Sequence, residues 1–316
     1  MIDMQYIKLK ISDLQVSRFC MGGCPMGGYG WGNDQEQELI DAVHIALDEG
    51  VNFFDTAETY GLGQSEISLG KALGNRRKDV VISDKFGVRA MAGQPTCYDN
   101  SRDYVIEACE GSLKRLGTDY IDLYTIHYRD GKTPLAEVVD TLEYLQKQGK
   151  IRYFALSNVG EADEKELAEL KGKFVSFQDE YSLACRKNEK TMIELSQKYD
   201  LTPLTWGSLG QGILTGKYNL ENANFGADDR RSRDIYVNFH GEKLKKNLEI
   251  VDVMRGIAEE HNTSVSSVAI RFILDYISDS VVLAGVKRPE QLLSNTKAFN
   301  WSLTQEELKR LDEVSR

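Results

Sequence analysis

Cysteine is scarce in this chain. Five residues, Cys20, Cys24, Cys97, Cys109 and Cys185, are scattered over 316 positions. An odd, dispersed set in a chain this long argues against a disulfide framework. Cys20 and Cys24 stand close together, but no second Cys or His pair completes a zinc pattern. Small residues around a strand end account for them, and no metal is expected. Long apolar runs are missing too, so no segment reads as a bilayer span. Met1-Ile2-Asp3-Met4 shows no basic stretch leading into an apolar one, so no secretory signal is visible. A reducing, cytoplasmic setting without a membrane partner is the expectation. Positive charge is outnumbered, 39 basic residues against 49 acidic, for a formal net charge of −10. A field of that sign repels phosphate backbones and makes nucleic acid a poor partner. A local basic patch can still hold one small anionic ligand. No linker or low-complexity tract interrupts the chain, which reads as one domain over residues 1–316.

What is present is a regular alternation. Short apolar runs at Phe19–Met21, Val51–Phe54, Val80–Ser83, Ile121–Ile126, Ile151–Leu156, Phe174–Phe177, Leu201–Leu204 and Val281–Ala284 read as eight strands. They are near-continuous and rich in β-branched or aromatic residues, which suits parallel strands buried on both faces. Amphipathic helical patterns separate them, among them 33–49, 101–116 and 134–148, each stopped by glycine. Thr304–Val314 opens with a capping signal and forms a last helix. Eight strand–helix pairs predict a (β/α)8 TIM barrel. Tyr6–Lys10 and Leu14–Val16 read as a hairpin plugging the barrel floor. The runner-up is an open doubly wound sheet, which would carry a GxGxxG turn after its first strand. Met21-Gly22-Gly23-Cys24-Pro25-Met26-Gly27-Gly28 does not fit that spacing. The stretch Gly212–Gly241 is the longest irregular one, and a loop that long is usually functional or mobile.

In such a barrel the C-terminal strand ends turn their side chains to one mouth. Asp55 and Tyr60 follow the second predicted strand, Lys85 the third and His127 the fourth. A carbonyl that accepts hydride needs a proton on its oxygen, and a free tyrosine with a pKa near 10 is a weak acid. A nearby ammonium lowers that pKa, so Lys85 held by Asp55 is expected to activate Tyr60. His127 is placed to orient a carbonyl oxygen. Taken singly each residue has a dull explanation: a helix cap, a rim charge, a loop aromatic, a satisfied histidine. Their order on consecutive strand ends makes the dull explanations poor.

With Asp55-Thr56-Ala57-Glu58-Thr59-Tyr60-Gly61, Gly63-Gln64-Ser65-Glu66, Lys85 and His127 in place, the chain resembles the aldo-keto reductases, bacterial members in particular, over essentially its whole length. The resemblance implies a catalytic tetrad of Asp55, Tyr60, Lys85 and His127, with Tyr60 as acid and base. It implies reduction of an aldehyde or ketone, sugar-like substrates included, with NADPH as cofactor and NADH as the alternative. Gly22, Gly23, Ser157, Asn158, Gln178, Trp206 and Leu209 fall where the family holds the nicotinamide half. Gly285, Lys287, Arg288, Gln291 and Asn295 fall where it holds the adenosine half. Lys287 and Arg288 favour the extra phosphate of NADPH, whereas Gln291 stands where some members carry a phosphate-binding arginine. Trp31, Phe86 and Tyr128 are candidate substrate contacts. Two other readings stay open: a non-catalytic nucleotide-binding partner, and a reductase of a nucleotide-linked keto-sugar.

Overall fold

The computed structural model describes residues 2–28, 30, 35–91, 93 and 95–316. Eight parallel strands close into a barrel. They are β1 (Phe19–Gly22), β2 (Phe53–Asp55), β3 (Val81–Phe86), β4 (Ile121–Ile126), β5 (Ile151–Ser157), β6 (Ser176–Glu180), β7 (Thr202–Trp206) and β8 (Val281–Gly285). β8 pairs with β1, matching Leu283 to Cys20 and Gly285 to Gly22, and this closes the ring. Side chains alternate between the two buried faces, which is why the strand sequences are continuous apolar runs. Phe53 looks into the barrel and Phe54 out toward the helices, and both are fully buried.

The floor is sealed by an antiparallel hairpin, Tyr6–Lys8 with Gln15–Ser17. Its Leu9, Leu14 and Val16 pack with Cys20, Phe53, Val81, Leu123, Leu204 and Val281 in one apolar cluster. That plug leaves the opposite end as the barrel's open mouth.

Helices pack against the outside in the expected places. α1 is Glu36–Asp48, α2 Gln64–Leu73, α3 Arg102–Leu116, α4 Leu135–Lys147 and α5 Glu161–Glu169. α6 is Glu189–Tyr199, α7 Gly241–Glu260, α8 Val265–Tyr276, α9 Pro289–Thr296 and α10 Gln305–Ser315. The Thr304 hydroxyl accepts from the Glu307 N–H and the Glu307 carboxylate accepts from the Thr304 N–H, the reciprocal cap read from the sequence. Among the described residues no helix is long and apolar enough to cross a membrane.

Two loops differ from expectation. The stretch 212–241 is built around its own core, with Tyr218, Phe225 and Phe239 in edge-to-face contact. The Arg231 guanidinium lies 4.4 Å over the Phe225 ring and is paired with Asp229. This loop reaches across to the segment after β1, where the Arg230 N–H donates to the Gly30 carbonyl at 2.9 Å. The loop after β3 carries a short antiparallel ribbon, Val88–Arg89 with Cys97–Tyr98, which no periodicity announced. Asn100 fastens it to the loop after β4, donating to the Tyr128 carbonyl at 3.1 Å and accepting from the Asp130 N–H at 2.8 Å.

Candidate active site

The mouth brings the four sequence-picked residues together. Asp55 ends β2, Lys85 lies in β3 and His127 follows β4. Asp55 and Lys85 point inward because their strand neighbours Phe54 and Phe86 occupy the outer layer. Lys85 is fully buried and its Nζ is paired with Asp55 Oδ1. The same Nζ donates to the Thr56 carbonyl at 3.2 Å and approaches the Tyr60 hydroxyl at 3.3 Å. Gln178, in β6 on the far side of the barrel, donates from Nε2 to the other Asp55 oxygen at 3.0 Å. Asp55 is therefore gripped on both oxygens, and Lys85 is aimed at Tyr60.

Tyr60 sits in the loop between β2 and α2. Its peptide lies directly on Gly27: a Cβ on Gly27 would stand 2.5 Å from the Tyr60 carbonyl carbon. Gly61 has φ +63°, and a Cβ there would meet the Gly27 oxygen at 2.0 Å. These two glycines let the loops after β1 and β2 touch backbone to backbone. The Tyr60 ring meets His127 edge to face at 5.8 Å.

Electrostatics correct one expectation. Tyr60 is not lowered by Lys85. Burial first, and then the Asp55 charge, push its phenol well above the ordinary value of 10. His127 is pushed well below 6.5 by burial and then by Lys85, which keeps its ring neutral at physiological pH. Its Nδ1 is buried without a hydrogen-bond partner.

A phenol held protonated beside a buried ammonium, a neutral histidine and a braced carboxylate now stand on one mouth. The sequence model of the aldo/keto reductase family matches residues 18–316. The chain belongs to this family. It is 32% identical to an aldo-keto reductase of Bacillus subtilis over 314 residues, 98% of this chain and 93% of that one. It is 34% identical to a probable voltage-gated potassium channel subunit beta of rice over 309 residues, covering 94% of this chain and 92% of that one. Among solved structures, a glycerol dehydrogenase from Gluconobacter oxydans superposes with a TM-score of 0.88 at 32% identity, covering 98% of this chain and 94% of that one.

The remaining aldo/keto reductase positions are placed as follows. Ser157 ends β5, and Asn158 follows it in the left-handed region at φ +55°. The Asn158 amide donates to the His127 carbonyl and to Ser157 Oγ, both at 3.0 Å, and accepts from Trp206 Nε1 at 3.2 Å. Asn158 thus ties together the ends of β4, β5 and β7. Gln178, expected against a nicotinamide, donates to Asp55. Gly22 and Gly23 stand at the end of β1. A Cβ on Gly23 would lie 2.6 Å from the Asp55 carbonyl oxygen, so that glycine is required by packing in any case. Leu209 packs against the core beyond β7. Gly285 is the exposed end of β8, and α9 starts at Pro289 right after Lys287 and Arg288. The Lys287 N–H donates to Gln291 Oε1 at 2.8 Å, and Arg288 pairs with Glu38 at 3.0 Å. Asn295 is buried in α9.

The substrate candidates separate. Tyr128 stacks on His127 at 5.0 Å and is backed by Tyr98 at 5.3 Å. Phe86 is overturned as a substrate contact: it is fully buried and stacks on Tyr124 at 4.5 Å, because it takes the outward position next to inward Lys85. Trp31 lies outside the described residues. The stretch 91–100 is a candidate mouth loop by sequence, and within it Tyr98 and Asn100 make the contacts, whereas the Thr56 carbonyl escaped the sequence reading because it acts through a backbone bond to Lys85, remote in sequence. Among the described residues no cluster of metal ligands is present.

Proposed function

We propose that this protein is an NADPH-dependent reductase of aldehydes or ketones, sugar-like ones included, with Tyr60 as the proton donor. The observation that carries this reading is the chain of contacts from Gln178 through Asp55 and Lys85 to the Tyr60 hydroxyl. When bound, the cofactor supplies hydride to the carbonyl carbon. The protein's residues do the rest. His127, neutral and buried, offers a ring nitrogen to orient the carbonyl oxygen. As charge develops on that oxygen, the Tyr60 O–H bond breaks and its proton forms the new alcohol. The phenolate left behind faces Lys85 Nζ at 3.3 Å, where an ammonium stabilises it. The reverse sequence oxidises an alcohol at the same site.

The residues present suit a nicotinamide dinucleotide. The orphaned His127 Nδ1, the Trp206 indole at the end of β7 and the Ser157-Asn158 pair stand together around the mouth. Lys287 and Arg288 stand just ahead of a helix N-terminus in a protein of net charge −10, which suits a phosphate-rich ligand and favours NADPH. The likeness to a glycerol dehydrogenase supports small hydroxylated substrates. The test is loss of reduced-cofactor absorbance with NADPH and NADH against a panel of aldehydes, ketones and keto-sugars, with Tyr60→Phe alongside. Turnover that depends on Tyr60 and prefers NADPH is the expected result. Tight NADPH binding without turnover on the whole panel overturns it. That outcome favours the second reading, a nucleotide-binding partner subunit, which the likeness to a channel beta subunit supports.

A smaller change tests the loop. Gly61→Ala puts a Cβ against the Gly27 carbonyl in a left-handed conformation that costs about 1–2 kcal/mol by itself. The Tyr60 peptide must move to relieve it. A 1 Å misplacement costs about 10²-fold in rate, so kcat is expected to fall about that much while the protein stays folded. Wild-type kcat in Gly61→Ala would mean that the Gly27 contact does not locate Tyr60.

A further inference from the structure

We propose that Glu58, two residues before Tyr60, is a positioning residue whose carboxylate clamps the Tyr60 loop to the exit of β3 and so sets the phenol over Lys85. The inference rests on the reading of Tyr60 given above. One oxygen of Glu58, Oε1, accepts three hydrogen bonds. They come from the Gly87 N–H at 3.1 Å, the Val88 N–H at 3.2 Å and the Tyr104 hydroxyl at 2.9 Å. The first two donors immediately follow β3, the strand that carries Lys85. The Glu58 N–H itself leans toward the Lys85 carbonyl at 3.4 Å, and the Tyr60 N–H closes a turn onto Ala57 at 3.0 Å. The loop bearing the phenol is thus joined on one side to the segment that follows the lysine. On its other side it rests on Gly27. With both sides held, the 3.3 Å approach of Tyr60 to Lys85 has little freedom left.

The clamp is not explained by fold stability. It stands in a crowded acidic pocket behind the mouth. Glu66 from α2 and Asp84 from β3 face it, and Arg115 from α3 is the neighbouring guanidinium. That guanidinium is spent on Glu66, which it holds at 2.6 and 3.1 Å. Tyr104, also from α3, completes the pocket, with Arg89 stacked 4.5 Å over its ring. Burial, opposed by the Tyr104 and Val88 hydrogen bonds, leaves the Glu58 carboxyl raised to about 7. A group that only filled space here would be better as an amide, which accepts the same bonds without a charge to bury.

This yields two pH trends of opposite sign. Stability from a group whose folded pKa is raised is fully present below the unfolded value, about 4.3 for glutamate, and is lost as pH rises through about 7. The clamp runs the other way, because hydrogen bonds to an ionised acceptor are roughly twice as strong as to a neutral one. On the clamp reading, kcat rises as pH passes through about 7, while the contribution to stability falls from about pH 4.3 and levels off just above about 7.

The experiment compares Glu58→Ala, Glu58→Gln, Tyr60→Phe and wild type for kcat across pH 5.5–8.5, NADPH Kd and thermal unfolding. Glu58→Ala is expected to lose about 10²-fold in kcat, by the cost of a 1 Å misplacement, with NADPH Kd within about twofold. Glu58→Gln is expected to recover most of that loss and to show no kcat step near pH 7, while being at least as stable as wild type. Wild-type kcat in Glu58→Ala overturns the proposal. So does a wild-type kcat that falls with stability through neutral pH, or a kcat loss in Glu58→Ala that Glu58→Gln does not recover although it folds. If Tyr60→Phe itself keeps full turnover, the reading of Tyr60 falls first. If Tyr60→Phe collapses and Glu58→Ala does not, only the clamp falls.

Discussion

Tyr60→Phe is expected to lower turnover by about 10²–10⁴-fold, the span that general acid catalysis contributes, while leaving the fold and NADPH affinity nearly unchanged. The phenylalanine keeps the ring and its edge-to-face contact with His127. The Tyr60 hydroxyl is hydrogen-bonded to Lys85 Nζ, and that ammonium retains both Asp55 and the Thr56 carbonyl in the variant. What is removed is the hydroxyl, and with it the transferable proton. The pH dependence adds a second check. Burial and the Asp55 charge hold the phenol proton well above 10, so the acid stays loaded through mildly alkaline conditions. The wild-type rate of carbonyl reduction should therefore show no alkaline fall between about pH 7 and pH 9, where a phenol lowered by Lys85 would already titrate. Steady-state kinetics across that range, with NADPH Kd from fluorescence titration, measure both. An alkaline fall that Tyr60→Phe abolishes would mean that the lowered pKa expected from the sequence is the true one.

That contrast shows what sequence reasoning reaches. The meeting of four residues at the mouth was legible because Asp55, Lys85 and His127 lie at or just past strand ends and Tyr60 in the loop after one, and strand ends are marked by the halt of an apolar run. The field they create was not legible, because it depends on Asp55 reaching Lys85 before Lys85 reaches Tyr60. The strand ends themselves ran further than the apolar runs. Val80–Ser83 became Val81–Phe86 and Phe174–Phe177 became Ser176–Glu180, because the mouth-facing turns of β3 and β6 carry Asp84, Lys85, Gln178 and Glu180. Of these, Lys85 and Gln178 belong to the site, while Asp84 faces the opposite side of its strand. Phe86 was misjudged for the same reason: proximity to Lys85 in sequence places it on the opposite face of the strand.

The loops follow different rules. Residues 212–241 have no period because their order comes from a small knot of Tyr218, Phe225, Phe239 and Arg231, whose spacing matches neither helix nor strand. Glu58 was visible inside the Asp55–Gly61 motif, but its donors, Gly87, Val88 and Tyr104, lie 29 to 46 positions away. Lys287, Arg288 and Gln291 drew notice chiefly through family resemblance, since by themselves they look like an ordinary charged turn at the start of a helix. Fold and chemistry were thus readable wherever a periodic pattern broke at a strand end. They were unreadable wherever the decisive partner arrives from another loop.

Lys85→Met is expected to be the most destabilising single change at the mouth. Lys85 is fully buried, and its removal leaves the nearly buried Asp55 carboxylate with Gln178 Nε2 as its remaining side-chain donor. Breaking a buried ion pair from one side costs about 3–5 kcal/mol because the surviving charge stays in a poor dielectric. For a chain of this size that is on the order of 5–10 °C in melting temperature. The double variant Lys85→Met/Asp55→Asn removes the orphaned charge, since the amide can still accept from Gln178. It should regain much of the lost stability yet none of the turnover, because no ammonium then faces the phenolate left by Tyr60. Thermal unfolding of the two single variants and the double variant gives the coupling energy directly. A double variant as unstable as Lys85→Met would mean that the cost lies in lost packing around the lysine stem rather than in the unpaired carboxylate. A double variant that turned over near the wild-type rate would show that Tyr60 works without Lys85, and would remove the central link of the proposed mechanism.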